Sequence, residues 1–145
     1  MTTSILQAQS DEDILSCFAA MSALRPHLAP EGFLAQVRRQ EQQGYRLLAQ
    51  VMPTESGDRV VSIAGFRLCE FLAWGPILYV DDLSTLPAFR GQGHASRLLD
   101  WLIEHARANR CQALHLDSGY ARHDAHRLYL NKGLQMTSHH FAITF

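Results

Sequence analysis

The segment Arg90-Gly91-Gln92-Gly93-His94-Ala95-Ser96 places an arginine and two glycines directly ahead of a long helical pattern. Glycines allow successive backbone N–H groups to point into one concavity, and a helix that begins there adds the positive end of its dipole. Arg90 can add a charge-assisted contact. These residue types in this order predict a turn that binds an anion such as a phosphate group.

Two known phosphate-binding patterns do not match this turn. A P-loop ends in Gly-Lys-Ser or Gly-Lys-Thr, and the turn contains no lysine. A dinucleotide-binding turn has a third glycine where this chain has Ser96, and it lies in a parallel unit, whereas the strands before this turn form a predicted meander. On these residues alone, a plain strand-to-helix turn with glycines for geometry remains the alternative.

The elements around the turn are predicted from hydrophobic periodicity and turn residues. Helices are predicted from Ser10 to before Pro26, from Pro30 to Gly44, from Gly93 to Asn109 and from Asp124 to Lys132. Strands are predicted over Tyr45–Val51, Arg59–Phe71, Ile77–Thr85, Ala113–Ser118 and Met136–Phe145. This order predicts a single α+β domain over residues 1–145, with one mixed, mostly antiparallel central sheet flanked by about four helices.

The composition argues against several classes of function. With 47% hydrophobic residues, 19% charged residues and a net charge of −1 over 145 residues, the chain is typical of a globular protein, and a nucleic-acid partner is not expected. The apolar runs are too short to span a membrane, so no membrane partner is expected either. Three isolated cysteines and the lack of a basic, apolar leader after Met1 favour a cytoplasmic protein.

Two segments together resemble the GNAT superfamily of acyl-CoA-dependent N-acyltransferases. Arg90, Gly93 and Ala95 match its acetyl-CoA motif, Gln/Arg-x-x-Gly-x-Gly/Ala. Residues 125–133, Ala-His-Arg-Leu-Tyr-Leu-Asn-Lys-Gly, are similar to its second signature, Ala-x-x-φ-Tyr-x-x-x-Gly, where φ is apolar. Tyr129 stands at the position of the tyrosine in that signature. The resemblance implies the GNAT fold, acetyl-CoA as co-substrate and transfer to an amine. Dimers are common in this superfamily, so a homodimer is one expectation, and the sequence leaves the oligomeric state open. The C-terminal third is also similar to aminoalkylphosphonate N-acetyltransferases.

The resemblance also implies which residues meet the cofactor and carry the chemistry. Backbone groups of Leu83, Ser84 and Thr85 would pair with the pantetheine arm and polarise the thioester carbonyl. The expected cofactor-binding residues are Leu83, Ser84, Thr85, Arg90, Gly91, Gln92, Gly93, His94, Ala95, Ser96 and Tyr129. Tyr129 is also the candidate general acid, because a phenol can protonate the departing thiolate.

An alkylamine has a pKa near ~10.4 and must lose a proton before it attacks, so a carboxylate, or a water chain that ends at one, is expected as the base. Asp82 and Asp81 are the candidates, and strand alternation predicts that they lie on opposite faces, so that only one reaches the substrate. Asp82 is favoured by its position before the cofactor-pairing Leu83. A solvated or salt-bridged role remains the alternative for both aspartates.

The acceptor is expected to be a small-molecule amine: an aminoalkylphosphonate, an amino acid or a polyamine-like compound. Candidate substrate-binding residues are Asp117, Ser118, Arg122 and His126, with Arg122 standing where the family usually has an asparagine. A helix cap or a surface contact is the alternative for each. No metal is expected, because His123-x-x-His126 lacks a third ligand nearby. A non-catalytic acyl-CoA-binding or sensor module is the alternative function.

Overall fold

The computed structural model describes residues 2–145. The chain divides into two compact units, with the boundary between His115 and Leu116. The helices are α1 (Asp11–Ser16), α2 (Phe18–Leu24), α3 (Pro30–Glu41), α4 (His94–Ala108) and α5 (His123–Asn131), with a short 3-10 helix at Pro87–Phe89. The strands are β1 (Ser4–Gln7), β2 (Tyr45–Thr54), β3 (Gly57–Phe71), β4 (Gly75–Thr85) and β5 (Ala113–Leu116). The predicted α+β class is confirmed, whereas the single domain stays a prediction.

The five strands form one sheet in the order β1-β2-β3-β4-β5. The pairs β1–β2, β2–β3 and β3–β4 are antiparallel, as the meander of the sequence predicts. Thr54 pairs with Gly57, so only two residues turn the chain between β2 and β3. At the other edge β5 lies beside β4, where Gln112 N donates to Pro76 O at 2.8 Å just before β5 begins. This sheet is the platform on which the candidate site is built.

Helices pack on both faces of the sheet. One buried cluster joins side chains of α1, α2 and α3 to alternate strand residues such as Tyr45, Leu47 and Ile63. On the opposite face, Phe66 meets the α4 residue Trp101 edge to face, with ring centroids 5.9 Å apart. The alternation follows from the two-residue period of a strand. Each fully buried aliphatic side chain in these layers contributes roughly 1.5–3 kcal/mol.

The helix starts follow local capping chemistry. Ser10 Oγ accepts a hydrogen bond from Asp13 N at 3.0 Å, so the predicted helix start at Ser10 is confirmed. The predicted helix up to Pro26 is two helices, because Cys17 donates its backbone N–H back to Ile14 O and closes α1. The structure therefore has five α-helices in residues 2–145 where about four were expected.

Two strand expectations differ from the structure. The short edge strand β1 was not predicted, since its four residues are too few to show a periodicity. The predicted strand Met136–Phe145 is wrong, because residues 134–145 contain no helix or strand. The alternation of Phe141, Ile143 and Phe145 marks a face that a strand could bury, but a strand also needs a hydrogen-bonded partner, and no strand of residues 2–145 pairs with this segment. No helix within residues 2–145 is long and apolar enough to cross a membrane.

A bulge interrupts the pairing of β3 with β4. Gly65 pairs with Asp82 and the next β3 residue, Phe66, pairs with Val80, so Asp81 is an extra residue in β4. A bulge bends its strand and changes the direction in which the extra side chain points. Asp81 and Asp82, the two candidate bases, therefore lie at the bulge between β3 and β4.

Gly65 is required at this point because the Tyr45 side chain crosses directly over its Cα. A Cβ on residue 65 would overlap the hydroxyl and ring carbons of Tyr45. We expect Gly65→Ala to lower the free energy of unfolding by about 1–3 kcal/mol, since overpacking forces a buried ring to shift. Urea unfolding measures the change. Gly32→Ala in α3, where a Cβ has open space, is the control and should lose no stability. Equal unfolding midpoints for Gly65→Ala and the wild type would contradict the overlap.

Candidate active site

The glycine turn joins β4 to α4 through two left-handed residues. Gly91 has φ +77° and Gly93 has φ +84°, a region that L-residues with side chains rarely adopt. Gly93 is the N-cap of α4, and its carbonyl accepts the first helical hydrogen bond from Arg97 N at 3.1 Å. A Cβ at residue 93 would also lie 3.1 Å from Arg97 Nη1. Both glycines are therefore needed by the backbone itself.

The backbone N–H groups from Gly91 to Ser96 are donors without an acceptor. Within residues 2–145 none of these six groups donates to a backbone or side-chain atom. The last of them belong to the first turn of α4, where the helix dipole adds partial positive charge. Consecutive donors at the start of a helix, with Arg90 and Arg97 beside them, have the geometry and charge that suit an anion.

A polar network below the turn holds its conformation. Arg97 donates from Nη2 to Gln92 O at 3.1 Å and to His94 Nδ1 at 2.9 Å. The buried Gln50 amide of β2 donates to His94 O at 3.0 Å and accepts from Arg97 Nε at 2.8 Å. Burial and the neighbouring Arg97 cation lower the pKa of His94, so its ring is neutral at pH 7 and Nδ1 can accept. The network ties the turn to the central sheet.

The end of β4 leads directly into the turn. Leu83 is buried, Ser84 Oγ donates to Ala20 O at 2.7 Å, and Thr85 Oγ1 is 2.8 Å from Ser62 Oγ. These three side chains are thus engaged within the protein, which leaves their backbone as the part that can meet a ligand. Arg90 Nε donates to Thr85 O at 3.3 Å and joins the end of the strand to the turn.

Asp82 is the centre of a charged cluster on the sheet. Its Oδ1 accepts from Arg25 Nε at 3.0 Å and its Oδ2 accepts from Tyr45 Oη at 2.8 Å. Arg25 also donates to Asp81 O at 2.9 Å, so the residue that follows α2 is fixed to β4. The Asp82 side chain is 12% exposed and that of Arg25 is 42% exposed. Burial, followed by the Asp82 carboxylate, raises the pKa of Tyr45 well above its usual value, which keeps the phenol protonated as the donor.

The expectation that Asp81 and Asp82 lie on opposite faces is wrong. Arg67 donates to both carboxylate oxygens of Asp81, with Nε at 3.0 Å from Oδ1, and its guanidinium lies 5.6 Å from the ring centre of Tyr45. Tyr45 is also the partner of Asp82, so both carboxylates are reached from the same face. The bulge is the physical reason, because an extra residue shifts the side-chain alternation of β4 by one position.

The second compact unit, Leu116–Phe145, contains Tyr129 on α5. Tyr129 is buried. Burial raises the pKa of Tyr129, and the positive charge of Arg122 acts against this shift. Gly133, with φ +93°, ends α5, and Leu134 N donates to Tyr129 O at 3.0 Å in a Schellman-type cap. The cap holds the backbone at Tyr129.

The predicted substrate residues of this unit have different surroundings. His126 Nε2 lies 2.9 Å from Gly119 O, so it donates to the loop that precedes α5. Asp117 lies 3.5 Å from His140 Nδ1. The Ser118 hydroxyl is inaccessible to solvent and has no hydrogen-bond partner within residues 2–145. An unpaired buried hydroxyl is unusual in a protein, and a water molecule or a ligand usually satisfies it.

Several residues of the site were not found from the sequence. Arg25, Tyr45 and Arg67 come from three separate elements, and no motif or spacing connects them to Asp81 and Asp82.

The described residues 2–145 contain no group of three or more metal-ligating side chains.

Arg97 lies in the first turn of α4, and this position is visible in the sequence. A cation there opposes the helix dipole, which indicates that its side chain has another role.

Coenzyme A is the ligand that the resemblance implies, and we expect Gly93→Ala to weaken its binding by at least about tenfold. The reason is that alanine changes φ at residue 93, which turns the backbone N–H donors away from the phosphates. Isothermal titration calorimetry measures the affinity. Gly57→Ala is the control, since it places the same strain (φ +103°) in the hairpin between β2 and β3. Equal affinity in Gly93→Ala and Gly57→Ala would contradict the role of the turn.

Two curated proteins are similar to this chain in sequence. An aminoalkylphosphonate N-acetyltransferase of Salmonella typhimurium (strain LT2) is 38% identical over 65 residues, which are 45% of this chain and 41% of that enzyme. The chain thus matches less than half the length of that relative. An uncharacterized N-acetyltransferase of Bacillus subtilis (strain 168), YhdJ, is 29% identical over 127 residues, which are 87% of each chain.

The fold is shared with solved acetyltransferases. The aminoglycoside N-acetyltransferase AAC(6')-Iy in complex with CoA superimposes with a TM-score of 0.79 at 14% identity, over 99% of this chain and 95% of that one. At this identity the similarity shows the fold alone. The family model described as "Acetyltransferase (GNAT) family" matches residues 14–134, which include the bulge, the glycine turn and α5. The chain belongs to the acetyltransferase (GNAT) family.

Proposed function

We propose that the protein transfers an acetyl group from acetyl-CoA to the primary amine of a small molecule, by direct attack of the amine on the thioester. The observation that carries the proposal is the run of acceptor-free N–H groups from Gly91 to Ser96. A pyrophosphate offers several anionic oxygens to such donors, and Arg90 and Arg97 add positive charge beside them. The family assignment makes the chain an acyltransferase, and the turn supports acetyl-CoA as its acyl donor.

The transfer needs a proton for the departing thiolate. We assign this proton to Tyr129, which is buried and whose backbone is held by the cap at Gly133. The amine nitrogen bonds to the carbonyl carbon, the C–S bond breaks, and the thiolate sulfur takes the phenolic proton. The thioester oxygen accumulates negative charge on the way, and the backbone N–H groups at Leu83 to Thr85 are the proposed donors to it.

The attacking amine must lose a proton, and the carboxylates at the bulge are the proposed acceptors. Asp82 remains the first candidate and Asp81 the second, since the bulge presents both on one face. Each carboxylate faces an arginine, Arg25 for Asp82 and Arg67 for Asp81. A carboxylate has about four lone-pair positions, so these contacts leave room for a further proton.

The balanced charges at the bulge also bear on the choice of acceptor. Two aspartates against two arginines give no net negative charge, which disfavours a polyamine and favours an amine with its own anionic group. An aminoalkylphosphonate or an amino acid fits this description, and the Salmonella relative acts on the former class by its name. The orphan hydroxyl of Ser118, with Asp117 and His126, is the proposed contact for the acceptor.

A cytoplasmic location and a homodimer, both expected earlier, stay predictions. The three cysteines are free, as in proteins of a reducing compartment. The exposed side chains of Phe141, Ile143 and Phe145 offer an apolar surface that a second copy of the chain could bury.

The alternative is a non-catalytic acyl-CoA-binding or sensor module. Such a module needs the glycine turn but has no need for a buried Tyr129 hydroxyl or for carboxylates at the bulge. A thiol-release assay with acetyl-CoA and a panel of aminoalkylphosphonates, amino acids and polyamines separates the two. Release with an anionic amine supports the enzyme, whereas CoA binding without release from any amine supports the module.

We expect Tyr129→Phe to lower kcat in this assay by about 10²–10⁴-fold with little change in the KM for acetyl-CoA, because only proton transfer is removed. Tyr120→Phe is the matched control, since Tyr120 lies in the same unit and is 80% exposed, and it should keep the wild-type kcat. A Tyr129→Phe protein as fast as the wild type would remove Tyr129 from the mechanism.

We expect Asp82→Asn to lower kcat by about 10²-fold and Asp81→Asn to have a smaller effect, because the amide keeps the shape of Asp82 but cannot take a proton. Tyr45→Phe controls for structure, since it removes one hydrogen bond from Asp82 and leaves the carboxylate in place. Steady-state kinetics across pH 6–9 provide the test. If Asp81→Asn is the slower variant, Asp81 is the base, and if neither changes kcat, no carboxylate of the bulge acts.

A further inference from the structure

Arg25 uses one edge of its guanidinium to contact the bulge and keeps the other edge without a partner. Its Nε donates to Asp82 Oδ1 at 3.0 Å and its Nη2 donates to Asp81 O at 2.9 Å. A guanidinium carries five N–H groups in a planar fork. Both N–H groups of Nη1 and the second one of Nη2 therefore make no hydrogen bond within residues 2–145. These donors form a free edge beside the first candidate base.

The side chain of Arg25 is also open to solvent. It is 42% exposed although it makes two hydrogen bonds, whereas the side chain of its partner Asp82 is 12% exposed. The next two residues, Pro26 and His27, are exposed as well and belong to the loop between α2 and α3. A ligand can therefore reach the free edge from solvent while the bonds to β4 stay in place.

Arg67, the other arginine of the cluster, is less suited to bind a ligand. It donates to both carboxylate oxygens of Asp81, and its side chain is 22% exposed. Its guanidinium also lies 5.6 Å from the ring centre of Tyr45. Arg25 is thus the more open cation of the two, and it is the one that contacts Asp82.

We propose, resting on the acetyl-transfer function above, that the free edge of Arg25 binds the anionic group of the acceptor while the amine of the same molecule lies at Asp82. The anionic group is a phosphonate or a carboxylate, either of which can accept two parallel hydrogen bonds from a guanidinium fork. Asp82 accepts from the opposite edge of the same guanidinium, so one planar group separates the two subsites. This separation suits an amine that a short linker joins to its anionic group.

The charges of such an acceptor complement those of Arg25 and Asp82. In the free protein the Arg25 cation pairs with the Asp82 carboxylate. An ammonium group at Asp82 takes over part of this pairing, so the charge of Arg25 becomes available to the anion. When the amine then gives its proton to Asp82, the anionic group still balances Arg25. Arg25 is therefore a specificity-determining residue of the proposed reaction.

Arg25→Gln tests the proposal, because glutamine removes both the charge and the fork. Arg38→Gln is the matched control, since Arg38 on α3 also pairs with an aspartate, Asp11, and its side chain is 39% exposed. The thiol-release assay measures kcat/KM for aminoethylphosphonate, for β-alanine and for the neutral amine propanolamine. The readout is the ratio of kcat/KM for each anionic amine to that for propanolamine, because a disturbance of Asp82 alone slows all three amines alike.

We expect this ratio to fall about tenfold or more in Arg25→Gln and to stay unchanged in Arg38→Gln, because only the first variant loses hydrogen bonds to a charged group of the acceptor. Arg25→Lys should give an intermediate ratio, since it keeps the charge and loses the planar fork. A fall for aminoethylphosphonate alone identifies the bound group as a phosphonate, and a fall for β-alanine alone identifies it as a carboxylate.

An equal ratio in Arg25→Gln and the wild type overturns the proposal, and the acetyl transfer then still stands. The proposal is also overturned if the ratio falls only in Arg122→Gln, since Arg122, the N-cap residue of α5, is a candidate substrate residue from the sequence. If Arg25→Gln does not fold, Arg25→Lys decides, because a lower ratio supports the proposal and an unchanged ratio overturns it.

Calorimetry separates this proposal from the acetyl transfer on which it rests. Aminoethylphosphonate is titrated into the CoA-saturated wild type and into CoA-saturated Arg25→Gln. If no amine releases thiol, the acetyl transfer fails, and binding that is about tenfold weaker in Arg25→Gln still supports the anion subsite. Equal binding to both proteins, or no binding to the wild type, overturns the subsite.

Discussion

The geometry of the site depends on a backbone constraint at two residues. To aim successive N–H groups into one concavity, the chain must take a left-handed conformation at Gly91 and again at Gly93. That conformation is held from below by Arg97 and by the buried amide of Gln50, which connects the turn to β2. The N–H groups of Gly91 to Ser96 have no acceptor within residues 2–145, so an anionic ligand can accept from them without breaking a hydrogen bond of the protein. The left-handed turn is thus also the proposed ligand site.

A second irregularity, the bulge at Asp81, organises the other half of the chemistry. In a regular strand the two aspartates would lie on opposite faces of the sheet. The extra residue brings both to the face that carries Tyr45 and Arg67. Arg25, the residue that follows α2, joins the same cluster. Both of these features therefore lie along one strand and the turn that follows it, and both present polar groups that the proposed acetyl transfer uses.

Much of this arrangement follows from sequence, and the exceptions have physical causes. The glycine turn, α4 and α5 were predicted within one or two residues, because glycines and a helical apolar stripe are local signals. The bulge was missed because one inserted residue leaves no mark on periodicity, and the alternation rule therefore failed at Asp81. The partners of the aspartates come from distant elements, so only the folded chain shows them. The strand Met136–Phe145 failed because alternation predicts a buried face but not a hydrogen-bonded partner.

Amide hydrogen exchange on the free and CoA-saturated protein tests the central claim most directly. The N–H groups of Gly91 to Ser96 have no acceptor in the protein, so they should exchange fast in the free state. They should become strongly protected when CoA binds, while the hairpin at Gly57 stays unchanged. Binding of CoA with no protection of these six amides would contradict the account, because the phosphates would then be held elsewhere.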